Sequence, residues 1–357
     1  MINFSPFETL HYKYPDSQIP FLKKELDFVL HEKIYSGLKI LHNTPLTTAA
    51  LLKVEILALG GAEITVSCIS TLTPENEAIE ILKSANVKIQ IDHNFKEQFD
   101  FHLDCCGELI DILVPKIGAV ELTQTGTQKY KIAQLEYPVI SVDDSKLKIL
   151  ETFMGTGDGF VRAIHELFGN EIYGKKFVLF GFGKVGKGIA YALKEFTENI
   201  IVIDIKKAGF LFSEYVTPCF ICSNEVAKIR KTIKDAYCVV TSTGHKEIMS
   251  NFYNFTKKDF GEALLANMGA EDEYGQNFTN SETLFDKQPL NFLLPEPTKI
   301  RYLDPVFYAH NRGVNLIMGN KLASGYSAFP SSMANDIINK WQAFHKESIM
   351  DIGGDGF

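Results

Sequence analysis

Two adjacent cysteines, Cys105 and Cys106, follow the short segment Phe99–Asp104 and are the first residues with an evident capacity for chemistry. A thiol acts as an acid or a nucleophile when nearby positive charge lowers its pKa. It also serves as a small apolar side chain that fills space in a protein interior. The sequence leaves both roles open for Cys105, with packing favoured, and predicts a packing role for Cys106.

A glycine-rich turn gives the second chemical signal. The apolar run Phe177–Phe180 leads directly into GFGKVG, and a segment with helical periodicity follows. In this context the glycines allow a tight turn, a close approach of the backbone to a pyrophosphate, and close packing of helix on strand. The expected cofactor-binding residues of this turn are Gly181, Gly183, Lys184, Val185 and Gly186.

Asp204 follows the next apolar run, at about the 20-residue separation expected for an acid that binds the ribose hydroxyls of a dinucleotide. A carboxylate at this place repels a 2′-phosphate, which favours NAD over NADP as the cofactor. Lys206 and Lys207 weaken that preference slightly.

The elements that must position these residues form two series. From Lys39 onward short apolar runs alternate with helix-length segments, which predicts parallel βαβ units. A second series begins near the glycine-rich turn and continues to "VNLIMGNKLASGY". We predict an α/β protein with two Rossmann-like, doubly wound parallel-sheet domains joined by hinge helices. The expected limits are 1–152 for a substrate-type domain, completed by a C-terminal helix at 326–357, and 153–325 for an NAD-binding domain.

Composition limits the partners. A formal net charge of −8 argues against nucleic acid, whose phosphates require a clustered basic surface. No apolar run approaches the ~20 residues of a membrane helix and the N-terminus lacks a signal-peptide pattern, so we expect no membrane partner and a cytoplasmic location. No cysteine and histidine spacing completes a metal site, and a structural role is favoured for Cys219 and Cys222.

The order of several motifs resembles the S-adenosylhomocysteine hydrolase family along most of the chain. The similar segments are "ILHNT", "LDCCGEL", "VELTQTG", "DDSKLKILETFMG", "GFGKVGKG", "VTSTG", "NMGAEDE" and "GVNLIMGNKLASGYSAF". The resemblance implies NAD as the cofactor and a small-molecule substrate. It also implies a reaction in which a ribose 3′-hydroxyl is oxidised, homocysteine leaves, water adds and the ketone is reduced again.

The resemblance assigns site residues position by position. Lys148 matches the family's lysine at the 3′-hydroxyl, and Glu151 with Thr152 stands where the family has an aspartate and an asparagine. His42 and Thr44 match the substrate segment. The remaining expected cofactor contacts are Thr123, Thr125, Thr243, Gly244, Gly269 and Asn315.

Four positions depart from the family pattern. Cys105 stands in place of the catalytic aspartate, Leu122 in place of a glutamate, and Ala270 and Tyr326 in place of histidines. Because the members of a catalytic set act as a unit, these replacements are hard to reconcile with the parent reaction. The family's long C-terminal tail has no counterpart, which favours a homodimer over a tetramer.

Three functions remain open. The first is NAD-dependent oxidation of a hydroxyl on a nucleoside-like or other small substrate, with Lys148 as the proton acceptor and Cys105 and His42 facing the substrate. The second is a non-catalytic NAD-binding regulator, and the third is genuine adenosylhomocysteine hydrolysis. The sequence does not name the substrate, although Arg312 is a candidate for holding an anionic group.

Overall fold

A computed structural model describes residues 2–205, 219–320 and 322–349. The chain divides into two compact units, one formed by Met1–Lys148 with Ile300–Ile349 and the other by Ile149–Lys299. Each unit contains one parallel sheet with helices, so the predicted fold class is confirmed. Lys206, Lys207 and the end of the expected C-terminal helix, 350–357, lie outside the described residues.

The elements are numbered along the chain. The helices are α1 (Glu8–Lys13), α2 (Pro20–His31), α3 (Thr48–Leu59), α4 (Asn76–Ser84), α5 (Gln124–Ile132), α6 (Thr156–Phe168), α7 (Lys184–Leu193), α8 (Val226–Ile233), α9 (Ile248–Asn251), α10 (Ile300–Asn320) and α11 (Ser331–His345). The strands are β1 (Lys39–Asn43), β2 (Glu63–Ser67), β3 (Lys88–Ile89), β4 (Phe101–Asp104), β5 (Gly118–Glu121), β6 (Pro138–Ser141), β7 (Phe177–Phe180), β8 (Ile200–Asp204), β9 (Cys219–Cys222), β10 (Cys238–Thr241), β11 (Leu264–Asn267) and β12 (Gly325–Ala328). Among the described helices, none is both long and apolar enough to cross a bilayer.

Both sheets have doubly wound topology. The strand order is β12-β6-β5-β4-β1-β2-β3 in the first unit and β11-β10-β7-β8-β9 in the second. The order reverses between β1 and β4, and again between β7 and β10. In open parallel sheets, ligands bind outside the carboxyl ends of the strands at this switch point. The fold therefore gives each unit one expected binding crevice.

Helix α10 differs from the prediction in both conformation and unit. The segment from Val314 to Asn320, expected to continue the second α/β series, forms the end of α10. This helix belongs to the first unit, whereas the predicted limits placed it in 153–325. Val306, His310, Gly313 and Ile317 recur with helical spacing and are buried, which explains the conformation. Gly313 is required for close packing, since a Cβ there would lie 2.5 Å from Val120 of β5.

Candidate functional site

The carboxyl edge of the first sheet carries a row of buried polar residues. Asp104 pairs in register with Glu121, and Glu121 pairs with Ser141, so the last residues of β4, β5 and β6 lie side by side. All three residues are fully buried. Strand register therefore brings together residues that are far apart in the sequence.

Asp104 organises the loop that follows β4. Its carboxylate accepts hydrogen bonds from the backbone N–H groups of Cys105 at 2.8 Å and Leu109 at 3.1 Å. It also accepts from Tyr130 Oη at 2.8 Å and Asn43 Nδ2 at 3.1 Å. Asp104 thus joins the ends of β1 and β4 at the switch point.

Glu121 holds the same loop from the neighbouring strand. It accepts from the N–H groups of Cys106 and Gly107, each at 3.1 Å, and from the N–H and hydroxyl of Thr123 at 2.7 and 2.6 Å. Gly126 makes room for this carboxylate, because a Cβ at that position would lie 2.2 Å from Glu121 Cδ. Glu121 is a structural carboxyl group that sequence comparison with the family did not single out.

Burial raises the pKa values of Glu121 and Asp104, and the Asp104 carboxylate raises that of Glu121 further through repulsion. The thiol of Cys105, 3% exposed, has a pKa raised by its contact with Cys106 and by burial. Cys106 is half-buried, and its contact with Cys105 lowers its pKa. The environment therefore keeps Cys105 neutral, which favours the packing role that the sequence left open.

Lys148 lies at the same edge, 3% exposed. Its Nζ donates to the carbonyl of Leu122 at 2.9 Å and lies 3.8 Å from Asp143 Oδ1. Leu122 replaces a family glutamate, but its backbone oxygen still positions the amine. The geometry sets one amine beside the ends of β5 and β6.

His42 is buried in the first unit. Side chains alternate along a strand, and Asn43 is the β1 residue that contacts the loop after β4. His42 is buried with both ring nitrogens lacking a hydrogen-bond partner. Burial, followed by the charge of Lys53 on α3, lowers its pKa well below the usual range. His42 thus lies near Lys53 and His310, and the charge of Lys148 also acts on His310.

Lys53 and His310 form a buried pair that the sequence did not indicate. Lys53 Nζ lies 2.6 Å from His310 Nδ1, and His310 Nε2 lies 2.8 Å from the carbonyl oxygen of Val120. Because an ammonium only donates, Nδ1 accepts and Nε2 carries the proton. The local sequence around Lys53 in the apolar helix α3 does not predict this pair, because its partner is on α10, far along the chain.

Several other expected residues have structural roles in the first unit. Thr123 caps α5 by accepting from the Gly126 N–H, and Thr125 is exposed on the first turn of that helix. Asn315 is half-buried on α10, and Tyr326 donates to Asp144 at 2.6 Å. Arg312 lies near buried Glu25, whose pKa it lowers, in the layer of α2 and α10. Thr44 is buried just after β1.

The glycine-rich turn of the second unit has the expected geometry. Gly181 has a φ of +91°, and a Cβ there would lie 2.4 Å from the Ser242 carbonyl oxygen. A Cβ on Gly186 would lie 2.1 Å from the Gly181 carbonyl oxygen. Gly183, by contrast, faces open space, with nothing within 4 Å of a built Cβ. Two glycines are thus needed for packing, while the third leaves space for a ligand at the start of α7.

Asp204 ends β8 beside this turn. Its carboxylate accepts the N–H of Phe182 and that of Ile205, each at 2.6 Å. Lys184 and Val185 begin α7 and are half-buried. The predicted acid therefore contacts the predicted turn directly.

Glu273 closes the loop after β10. It accepts from the N–H and hydroxyl of Thr243, at 2.9 and 2.8 Å, and from the N–H of Gly244 at 2.7 Å. Gly269 lies against the same carboxylate, since a Cβ there would be 2.2 Å from Glu273 Oε1. Three expected cofactor residues converge on Glu273, whereas Ala270 is exposed nearby.

Glu151 and Thr152 are half-buried in a π-helical segment, Ile149–Gly155, of this unit.

An open pocket of about 410 Å³ adjoins Asp204. Its lining residues are Ile205, Ser223, His245, Lys246, Ile248, Asn251, Phe252 and Tyr253. Apolar walls next to an acid suit an aromatic base attached to a ribose. The open space at Gly183, the α7 N-terminus, Asp204 and this pocket together fit a dinucleotide.

Matched substitutions in the turn separate ligand binding from folding. We expect Gly183→Ala to change the free energy of unfolding by less than ~1 kcal/mol but to weaken NAD binding at least ~10-fold, because the methyl occupies the ligand's space. Gly186→Ala should instead destabilise the protein by roughly 1–3 kcal/mol or more, because its Cβ meets a backbone carbonyl. Denaturant unfolding and NAD titration give the two quantities. Unaltered NAD affinity in Gly183→Ala would contradict the assignment.

Comparison with known proteins identifies the second unit. Residues 153–283 match the family described as S-adenosyl-L-homocysteine hydrolase, NAD binding domain. This range contains the glycine-rich turn, Asp204 and the Glu273 loop. The cofactor of the chain is therefore NAD.

Related proteins extend the similarity into the first unit. The chain is 25% identical to S-inosyl-L-homocysteine hydrolase of Methanopyrus kandleri over 68% of its own length and 61% of that protein. It is 27% identical to an adenosylhomocysteinase of Haloquadratum walsbyi, over 61% of this chain and 55% of the relative. The match thus spans less than two thirds of these relatives.

One further relative and one solved structure are also similar to this chain. An adenosylhomocysteinase of Thermotoga maritima is 25% identical over 70% of this chain and 67% of its own. Dipicolinate synthase A chain from Bacillus subtilis aligns in structure with 12% identity and a TM-score of 0.48, covering 80% of this chain and 98% of its own. Together, the family match over residues 153–283 and these relatives support a divergent member of the S-adenosyl-L-homocysteine hydrolase family.

Proposed function

We propose that this chain oxidises a hydroxyl group of a small, nucleoside-like substrate, without the elimination and hydration steps of the parent hydrolases. The observation that carries the proposal is the buried amine of Lys148 at the carboxyl edge of the first sheet. Bound NAD supplies the hydride acceptor that such an oxidation requires. Lys148 takes the proton of the substrate hydroxyl.

The replaced positions support a shortened reaction. Cys105 is held neutral, Leu122 is apolar and Ala270 is exposed, so none of them supplies the carboxylate or imidazole that stands there in the family. Tyr326 is already hydrogen-bonded to Asp144. These four positions therefore no longer carry the family groups that protonate a leaving sulfur and activate water.

A non-catalytic NAD-binding role is the second candidate. It is favoured by the position of His42, which is buried beside Lys53 and has a pKa well below the usual range. The expected homodimer and cytoplasmic location stay predictions for either role.

Near-ultraviolet absorbance of reduced nicotinamide tests the proposal. The protein is saturated with NAD⁺, and the spectrum is recorded after adenosine and then after adenosylhomocysteine with a thiol reagent. Reduction without thiol release is the expected result. Thiol release would instead establish hydrolysis, and no spectral change with tight NAD binding would favour the non-catalytic role.

A further inference from the structure

We propose that Cys105 and Cys106 form a redox-active vicinal dithiol, which peroxides convert to a ring disulfide between neighbouring residues. Their sulfur atoms lie 3.9 Å apart, and neither is in a disulfide. The pair follows β4 at the switch point of the first sheet. This site does not depend on the reaction proposed above.

The backbone explains why the two thiols meet. Consecutive side chains of an extended strand point to opposite faces, so adjacent cysteines in a strand stay apart. Cys106 instead has a φ of +64°, and Gly107 follows with a φ of +57°. This left-handed turn brings the second thiol back toward the first.

Hydrogen bonds fix that turn. The Cys106 N–H donates to Thr123 Oγ1 at 2.8 Å and to Glu121 Oε1 at 3.1 Å. Lys129 Nζ donates to the Cys106 carbonyl at 2.9 Å. A non-glycine residue in the left-handed region costs free energy, and these three contacts offset that cost.

The two sulfurs have distinct roles. Cys106 is the more accessible thiol, and contacts with Cys105 and Thr123 lower its pKa. It therefore provides the attacking thiolate. Cys105 is buried, with a raised pKa, and serves as the resolving thiol.

The chemistry balances with hydrogen peroxide as the oxidant. The Cys106 thiolate attacks one peroxide oxygen, the O–O bond breaks, and the departing hydroxide takes a proton to form water. Cys105 Sγ then attacks the sulfur of the resulting sulfenic acid. The S–O bond breaks, and the leaving hydroxide takes the Cys105 proton as a second water. The cysteines lose two electrons in total, and peroxide gains them.

Ring closure would affect the neighbouring loop. The sulfurs must approach from 3.9 Å to about 2.0 Å. That movement turns the intervening peptide, whose N–H is bonded to Glu121 and Thr123. Since Thr123 caps α5, the redox state is transmitted to the start of that helix.

Cys219 and Cys222 provide a matched internal control. They lie three residues apart on β9, so about 10 Å of extended strand separates them and their side chains leave opposite faces. Cys219 is exposed, which makes it the more accessible thiol to a reagent. Because Cys219 is accessible but far from Cys222, we expect it to be alkylated and not to form an internal disulfide.

The test is peptide mass analysis of the full-length folded protein. After treatment with hydrogen peroxide, remaining thiols are alkylated and the chain is cut with trypsin. The peptide from Glu97 to Lys116 should lose the mass of two hydrogen atoms and resist alkylation, and dithiothreitol should reverse both changes. If this peptide keeps two alkylatable thiols while the exposed Cys219 is oxidised, the proposal is wrong.

Single variants assign the sulfurs. Cys105→Ser should accumulate a sulfenic acid on Cys106 that dimedone traps, because the resolving thiol is missing. Cys106→Ser should leave Cys105 reduced at the same peroxide dose. The opposite pattern, with trapping on Cys105 in the Cys106→Ser protein, would overturn the assigned roles. Unchanged ring formation in a Cys219→Ser, Cys222→Ser protein is the expected control.

Discussion

The Lys148→Met variant is expected to bind NAD as the parent protein does but to oxidise substrate about 10²–10⁴-fold more slowly, the usual contribution of a positioned proton acceptor. Methionine is similar in length to lysine and suits a site that is 3% exposed, so the fold should be retained. The variant removes the amine and its hydrogen bond to Leu122. Single-turnover formation of reduced nicotinamide measures the rate.

Lys146→Met is the matched control. Lys146 is exposed and lies two residues earlier in the same segment, so the same substitution should leave the rate unchanged. NAD affinity and the denaturant midpoint of both variants separate catalysis from binding and folding. A Lys148→Met protein that reduces NAD⁺ at the parent rate would remove Lys148 as the proton acceptor.

Much of the fold could be predicted because the physical signals are local. Short apolar runs alternating with helical segments indicated both parallel sheets, and the glycine-rich turn lies between β7 and α7 as expected. Asp204 was found from spacing alone and contacts the turn through the Phe182 N–H. Each of these features is encoded within about 30 residues, the length of one βαβ unit.

The sequence did not predict the contacts that depend on residues far apart along the chain. Gly313 begins the segment "GVNLIMGNKLASGYSAF", whose pattern did not indicate that this glycine lets α10 approach Val120 of β5. The charge that acts on buried His42 comes from Lys53 on α3, a contact that no local pattern indicates. The Lys53–His310 pair joins residues 257 positions apart, so no local pattern indicates it.

Stability of the first unit is expected to fall as pH rises above about 6.5. Burial raises the pKa of Asp304 to about 8 and that of Glu25 to about 7, and it also raises that of Glu121. A carboxyl group whose pKa is raised in the folded state stabilises the protein below its unfolded pKa. That contribution is lost as pH rises through the folded pKa. The combined loss by pH 8.5 is on the order of 3–5 kcal/mol.

Buried histidines act in the opposite direction at lower pH. Burial lowers the pKa of His102 to about 3 and lowers those of His42 and His310 well below 6.5. Their contribution is present above the unfolded pKa and is lost as pH falls toward the folded values. Between roughly pH 4.5 and 6.5 the falling contribution of the buried carboxyl groups and the rising contribution of the buried histidines largely cancel. The free energy of unfolding should therefore be nearly constant in this range and decrease on both sides of it.

One fluorophore makes this prediction measurable in the first unit. Trp341, the sole tryptophan, is fully buried in α11, so its emission during urea unfolding reports on that unit. Asp304→Asn should flatten the alkaline decline, because asparagine keeps an acceptor for the Phe21 or Leu22 N–H but cannot ionise. Asp27→Asn, at an exposed position of α2, should leave the profile unchanged. An equally steep alkaline decline in Asp304→Asn would show that its ionisation does not limit stability, and the burial argument for this layer of α2 and α10 would then fail.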